Sequence, residues 1–394
     1  MPGLELTDQE KAAFHQDITR NRTLDYFYVF DNNPLQFIYR DKLIPGELTD
    51  LEERNKTITE TLWLDSYHQE LVCNVIYGYF YRGRILQMPL QIHQVGAGMF
   101  SAPEADTSRV YASADGLRAN FDAWMESTGW KLVEDMRKQP AMASWQSLLG
   151  VPDRTNRIVS LMPVGNQVVM ELICTWTEEG VLQESAWVVV LIYDVDGTVL
   201  QDRSYIDMGN WPSANLRRAQ ARAKAPKKDR PKTTAPKDRP ETTGVMDGFY
   251  EYNRGLQIEV NPTDLEKRNL GIIEGAWADA QNDGLDSKVF HPDRFRMQLP
   301  LQKCSYNLDV SRDVEDIVKV AAPDRKIRVG MTFAKGNQVV AEGVVLWNKD
   351  GVATETPFIS FLVLDKDGLI IRERRYPAMD NWPGAERVMA RLGL

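Results

Sequence analysis

The sequence predicts an α+β chain made of two copies of one unit, each with its helices first and an antiparallel strand meander after. Three observations predict it. Blocks of the first half recur in the same order in the second half, helical periodicity gives way to strand alternation within each half, and a basic, proline-rich tether separates the halves.

The repeated blocks come first. TDLEERNKTITETLWLD from Thr49 matches TDLEKRNLGIIEGAWAD from Thr263 at 10 of 17 positions. QMPLQ from Gln87 matches QLPLQ from Gln298. The 48 residues from Gly165 (GNQVVMELICTW through MGNWP) match those from Gly336 without a gap, with about 20 identities. The spacing between copies is 214 residues at the first block, 211 at the second and 171 at the third, so the first copy carries about 40 extra residues between Gln91 and Gly165.

The tether, RRAQARAKAPKKDRPKTTAPKDRPETT from Arg217 to Thr243, has no large apolar side chain and cannot bury enough surface to fold. It predicts three regions: residues 1–216 as the first domain, with an N-terminal helix and an insertion near 95–150; 217–243 as a disordered basic linker; and 244–394 as the second domain. The net charge of -9 hides an asymmetry, because residues 217–239 hold 10 Lys or Arg against 2 Asp. The remainder is strongly acidic and repels phosphate, so a nucleic-acid partner is not expected. No run approaches the roughly 18 apolar residues of a membrane helix, and a cytoplasmic location is the expectation. Cys73, Cys174 and Cys304 are odd in number and far apart, which predicts buried thiols.

Within each copy the elements follow in order. Thr7 with Glu10 opens an N-terminal helix candidate running to Asn21. Thr263 and Asp264 cap a helix with apolar positions Leu265, Ile272, Ile273, Ala276 and Trp277. A QLPLQ strand precedes a second helix over Asp313 to Ala321. Four strands then read IRVGMTFAK, NQVVAEGVVLW, TPFISFLVLD and LIIRERRYP, separated by the turns KGN, NKDG and DKDG.

A leading helix ending in Trp, a short helix and a long meander ending before a Trp-Pro tail resembles the SnoaL-like branch of the nuclear transport factor 2-like fold, over about 120 to 150 residues of each half. The resemblance implies two tandem cone-shaped α+β barrel domains, helices packed on a curved antiparallel sheet, that associate as an intramolecular pseudo-dimer, with further self-association left open. In the first copy Trp63, Asp65, Ser66 and Tyr67 resemble the Trp-x-Asp-Ser-Tyr helix of scytalone dehydratase, which implies that Tyr67 helps orient a substrate carbonyl. That family follows the tyrosine with Asp, where this chain has His68; its two later histidines are replaced by Arg157 (Arg328 in the second copy) and Ser185 (Thr356). SnoaL-like cyclases use a carboxylate near the end of the last strand, which implies Asp207 as acid and base; the second copy has Ala378 there.

Strand alternation groups the polar candidates. Glu171 shares a face with Val169, Ile173 and Thr175, and Glu342 with Val340, Val344 and Leu346. On such an apolar stripe a glutamate is either a proton-transfer group in a water-poor cone or one half of a structural ion pair. Arg203, Tyr205 and Asp207 share a face, as do Arg374, Tyr376 and Ala378, and an arginine clamping Glu171 or Glu342 explains the recurrence equally well. His68 and His93 end elements that approach the cone mouth; Trp63 and Trp176 are assigned to substrate binding with Arg157, Arg203 and Tyr205, and His291 joins Glu342, Arg328, Arg374 and Tyr376 as second-copy candidates. No HxH or HExxH spacing, phosphate loop, dinucleotide fingerprint or GxSxG elbow is present, so neither metal nor cofactor is expected.

The expected activity is a cofactor-free isomerase, cyclase or dehydratase of secondary metabolism. It would act by proton transfer through Asp207, Glu171, Tyr67 or His68 on an apolar polyketide- or terpenoid-type intermediate. The alternatives are a non-catalytic ligand-binding or scaffold protein of the same fold and an epoxide hydrolase or cyclase.

Overall fold

A computed structural model describes residues 16–20, 23–32, 46–60, 155–195, 197, 199–206, 210, 245–258, 260–283, 285, 288–349 and 351–394. The chain divides into two compact units. The terminal unit combines Met1–Glu47 with Ala235–Leu394, and the central unit spans Leu48–Thr234. The linker 217–243, the insertion near 95–150 and the QMPLQ block lie outside the described residues.

In chain order, β1 (Ile18–Arg20) and α1 (Asp25–Asn32) belong to the terminal unit. The central unit follows with α2 (Asp50–Ile58) and the strands β2 (Thr155–Val164), β3 (Gln167–Glu178), β4 (Val181–Tyr193) and β5 (Val199–Ile206). These four strands form an antiparallel sheet in sequence order.

The rest of the terminal unit contributes α3 (Val245–Gly255), α4 (Asp264–Ile272), a π-helical turn (Ile273–Trp277), α5 (Ala278–Asp283), β6 (Arg296–Leu299), β7 (Cys304–Asn307), α6 (Leu308–Ala321), β8 (Lys326–Lys335), β9 (Gln338–Lys349), β10 (Val352–Leu364), β11 (Ile370–Pro377) and α7 (Ala385–Leu392). Its seven-stranded sheet runs β1-β7-β6-β11-β10-β9-β8, with β11 and β6 parallel. The arrangement is α+β. Among the described residues no helix is long and apolar enough to cross a membrane.

The same local devices appear in both units, and the repeated residues explain why. Thr49 and Thr263 are extended N-caps of complete capping boxes, in which Glu52 Oε2 and Glu266 Oε2 each accept the cap backbone N–H at 2.8 Å. The second carboxylate oxygen of each accepts the N–H of a hairpin glycine, Gly165 at 2.9 Å and Gly336 at 2.8 Å. One buried side chain therefore starts a helix and pins it to the first turn of the meander, each charge-assisted bond contributing about 1.5–3 kcal/mol.

Arg54 and Arg268 reach the last turn in the same way, donating to Asp194 O and Val195 O in one unit and to Asp365 O and Lys366 O in the other. Gly197 and Gly368 complete that turn at φ 87° and 84°. A Cβ on either would lie 2.8 Å from the Cδ1 of Ile58 or Ile272, so only glycine satisfies both the backbone and the approach. Register shifts at Ile158/Ser160 and Val329/Met331 bend the first meander strand at matching places.

The terminal unit's core lies between its helices and one face of the sheet. Ile273 and Trp277 pack there with Phe358, Leu362, Val339 and Val345, all nearly or fully buried. Burying a side chain of this size contributes about 1.5–3 kcal/mol.

Two expectations are corrected. The helix candidate from Thr7 to Asn21 is strand at Ile18–Arg20, where Ile18, Thr19 and Arg20 pair with Tyr306, Ser305 and Cys304. The β-branched pair Ile18-Thr19 suits a ladder better than a helix end, and this pairing joins the N-terminal segment to the terminal unit although the sequence reading assigns it to the first copy. The QLPLQ block is strand only as far as Leu299, because Pro300 opens a 3₁₀ turn.

Candidate functional site

Cross-strand register brings the recurrent polar residues together and shows which face they occupy. Glu171 lies opposite Val188, which lies opposite Tyr205, and Val190 carries Arg203. Glu342, Ile359 and Tyr376 form the matching row in the terminal unit, with Phe361 opposite Arg374. All six polar residues are at most 1% exposed.

The helices of the terminal unit cover the other face. Trp277 and Gln281 bond to Glu373 and Arg375, which alternate with Arg374 and Tyr376 along β11. Tyr376 instead meets Tyr28 of α1 hydroxyl to hydroxyl at 2.6 Å, and the Arg374 guanidinium stacks over the Tyr28 ring at 5.4 Å and the Phe361 ring at 5.8 Å. In the central unit the hydroxyl of Thr59, at the end of α2, meets that of Tyr193 at 2.6 Å, and Tyr193 alternates away from Val188 along β4. In the terminal unit the expected lining of a helix-covered cone by Glu342, Arg374 and Tyr376 is therefore replaced by packing on the sheet's reverse face. Alternation fixes which residues share a face but not which face receives the helices.

The remaining candidates scatter. Trp176 is buried and its indole N–H points to Glu178 at 3.4 Å. His291 Nδ1 accepts the backbone N–H groups of Asp293 and Arg294, each at 3.2 Å, so this histidine organises a turn. Arg328 is half-buried on β8. Tyr67, His68, His93, Trp63 and Asp207 lie outside the described residues. Among the described residues no cluster of His, Cys, Asp and Glu could hold a metal ion.

The helix-side interior of the terminal unit holds a polar knot that the sequence reading missed. Glu373 Oε1 accepts from Ser360 Oγ at 2.8 Å, from Arg375 Nε at 2.8 Å and from Arg375 Nη2, while Oε2 accepts from Trp277 Nε1 at 3.1 Å. Arg375 also donates to Gln281 Oε1 at 2.8 Å and stacks on Phe358 at 5.1 Å and Trp277 at 5.9 Å. A carboxylate offers about two acceptor sites on each oxygen; here three donors crowd onto Oε1 and one reaches Oε2. Beside it, burial pushes the Tyr306 phenol above its ordinary range, only partly offset by the Arg375 charge. Both oxygens of the Glu373 carboxylate are thus engaged by the unit's own donors.

The central unit is different. At the open end of β2 a cleft of about 530 Å³ is walled by Glu60, Thr155, Arg157 and Thr175, with Ile158 and Ile173 as apolar lining. Glu60 stands at the end of the α2 segment, Arg157 lies opposite Ile173, and Thr155 lies opposite Thr175, their hydroxyls 2.7 Å apart. Arg157 is thus placed in a cavity wall.

Glu60 is a residue that sequence reasoning overlooked, although its recurrence as Glu274 in the repeated helix block was a visible signal. In the terminal unit Glu274 accepts the hydroxyl of Thr332. The position matching Thr332 in the central unit is Leu161, which has nothing to donate. Among the described residues Glu60 has no hydrogen-bond partner.

No protein-family model and no curated protein matches the chain. Solved structures of SnoaL-like and nuclear transport factor 2-like proteins match about a third of it. A protein from Jannaschia sp. CCS1 assigned as a SnoaL-like polyketide cyclase is 15% identical, with 32% of this chain and 99% of that chain covered and a TM-score of 0.26. A loop-truncation variant of IdmH is 14% identical over 28% and 91%, with a TM-score of 0.24. A nuclear transport factor 2-like protein of unknown function from Exiguobacterium sp. 255-15 is 16% identical over 29% and 97%, with a TM-score of 0.22. Likeness at this level carries no argument about the chemistry of this chain.

Proposed function

We propose that the chain is a tandem of two nuclear transport factor 2-like units with unequal tasks. The central unit takes a small, largely apolar substrate and moves a proton on it without a cofactor, as an isomerase, cyclase or dehydratase of the polyketide or terpenoid type. The terminal unit is a closed copy that serves as structural partner.

One contrast supports this reading: the central unit has a cleft lined by Glu60, which has no donor among the described residues, whereas in the terminal unit the matching Glu274 accepts the Thr332 hydroxyl and Glu373 is held by Trp277, Ser360 and Arg375. A carboxylate with spare lone pairs can accept a proton from carbon and return it elsewhere on an enolisable substrate. Glu60 is the first candidate for that base, Arg157 stabilises negative charge developing on a carbonyl oxygen, and Tyr67, His68 and Asp207 are further candidate proton donors.

The test is solvent exchange. With benzoylacetone as the enolisable probe in D₂O, the full-length protein should accelerate loss of the α-protons above the rate in carboxylate buffer, and Glu60→Gln should remove most of the acceleration. A rate no higher than in buffer contradicts an enzymatic role and leaves the second reading, a ligand-binding or scaffold protein, which the engagement of Glu373 by internal donors favours for the terminal unit.

A further inference from the structure

α1 and α3 are copies of one helix that dock in different ways, and two residues explain why. Asp25, Phe27 and Tyr28 match Asp247, Phe249 and Tyr250 at one spacing, and each helix precedes a capping-box threonine. α3 lies against β8 and β9. The Tyr250 hydroxyl donates to Gly343 O at 3.0 Å, Arg254 donates to Gly330 O at 2.9 Å, and the Tyr250 ring lies so close to Gly330 that a Cβ there would meet it at 2.3 Å. Gly330 is the bulge residue of β8. Its counterpart at the β2 bulge is Val159, and Leu172 stands where Gly343 does. A tyrosine cannot take the same seat over Val159, because side-chain atoms already occupy the space of its ring.

α1 instead belongs to an arm on the terminal unit. Ile18–Arg20 extends the sheet at the β7 edge, Asn307 donates its backbone N–H to Asp17 O at 3.0 Å, and Arg296 donates to Gln16 O at 2.6 Å. Tyr28 then meets the Tyr376 hydroxyl and stacks on Arg374. The seat thus recognises an extended strand followed by a tyrosine-bearing helix, and nothing in that recognition requires the arm to come from the same chain. A three-residue strand at a sheet edge is among the elements that open most readily without disturbing the core behind them.

We propose that the terminal unit is a receptor for this arm, and that the arm of a second copy of the chain occupies it by exchange to give reciprocal dimers. Below the roughly millimolar effective concentration of a short tether the chain's own arm prevails, and exchanged pairs form by opening and recapture. This proposal is independent of the enzymatic reading of the central unit.

Cysteine trapping tests it. Thr19 and Ser305 are directly paired and buried, and antiparallel partners have the Cα separation a disulfide needs, roughly 4.4–6.8 Å. In a Cys304→Ala background, a full-length chain carrying both Thr19→Cys and Ser305→Cys should close a disulfide within itself. Full-length Thr19→Cys mixed with full-length Ser305→Cys at about 0.1 mM, with oxidised glutathione, should accumulate covalently paired chains to about tenfold the level either variant reaches alone. An excess of a synthetic peptide spanning residues 14–32 should suppress the pairing. Failure of the double variant to close overturns the strand pairing and the proposal with it. Closure within the double variant, with no pairing in the mixture above the level of the single variants, overturns the exchange. Pairing that the peptide leaves undiminished is surface collision and overturns it as well.

Discussion

Glu60 and Glu373 are both carboxylates close to a helix, and their partners decide what each can do. Trp277, Ser360 and Arg375 hold both oxygens of Glu373, whereas Glu60 lines a cleft, and Leu161 stands where Thr332 donates to the matching Glu274. The sequence showed Glu-Arg-Arg-Tyr in the last strand without showing which alternate pair meets the helices: Arg374 and Tyr376 recur as Arg203 and Tyr205 yet face away from them, while Glu373 and Arg375, matched by Asp202 and Ser204, face them. Cys304 permits a prediction at this scale. Burial pushes its thiol up to about 11, only partly offset by the charges of Arg20 and Arg296. An acid whose folded pKa lies above its unfolded value contributes stability that is complete below the unfolded pKa and lost as pH rises through the folded one. The melting temperature should therefore fall between about pH 9 and 11, less steeply in Cys304→Ala than in the unaltered chain. Parallel pH profiles would contradict the assignment.

At the scale of elements, the repeated helix start was the most legible feature. Thr-Asp-Leu-Glu is a capping box in sequence, and it is one in both units. What the sequence did not reveal is the second task of Glu52 and Glu266, which hold Gly165 and Gly336 from more than sixty residues away. Thr49→Ala and Thr263→Ala should each cost about 1 kcal/mol in chemical denaturation, and Glu266→Gln more than Thr263→Ala because it also weakens the turn.

The four meander strands were readable from alternation and glycine turns. β1 was not, because an isolated Ile-Thr-Arg has no periodicity, and only the exposed edge of β7 makes it a strand. Deleting residues 1–20 should uncover that edge and promote self-association. Light scattering that stays monomeric would mean the edge is protected in another way.

For the molecule as a whole, the repeated sequence blocks explain why the same hydrogen bonds occur in both units. Matching positions hold the same cap, the same turn arginine and the same bulge, while Thr155, Leu161, Thr175 and Ser204 differ from Lys326, Thr332, Leu346 and Arg375. The order of elements was legible because repeats constrain one another. The partners of Glu274 and Glu373 were not, since they depend on side chains brought together from distant strands.

The central claim is that reactivity resides in the central unit and the terminal unit is closed. The most direct test is the solvent-exchange rate on benzoylacetone for Glu60→Gln and Glu373→Gln, measured side by side at a temperature where both remain folded. The account predicts that Glu60→Gln loses the acceleration and Glu373→Gln retains it. Retention by the first with loss by the second would place the chemistry in the unit described here as closed.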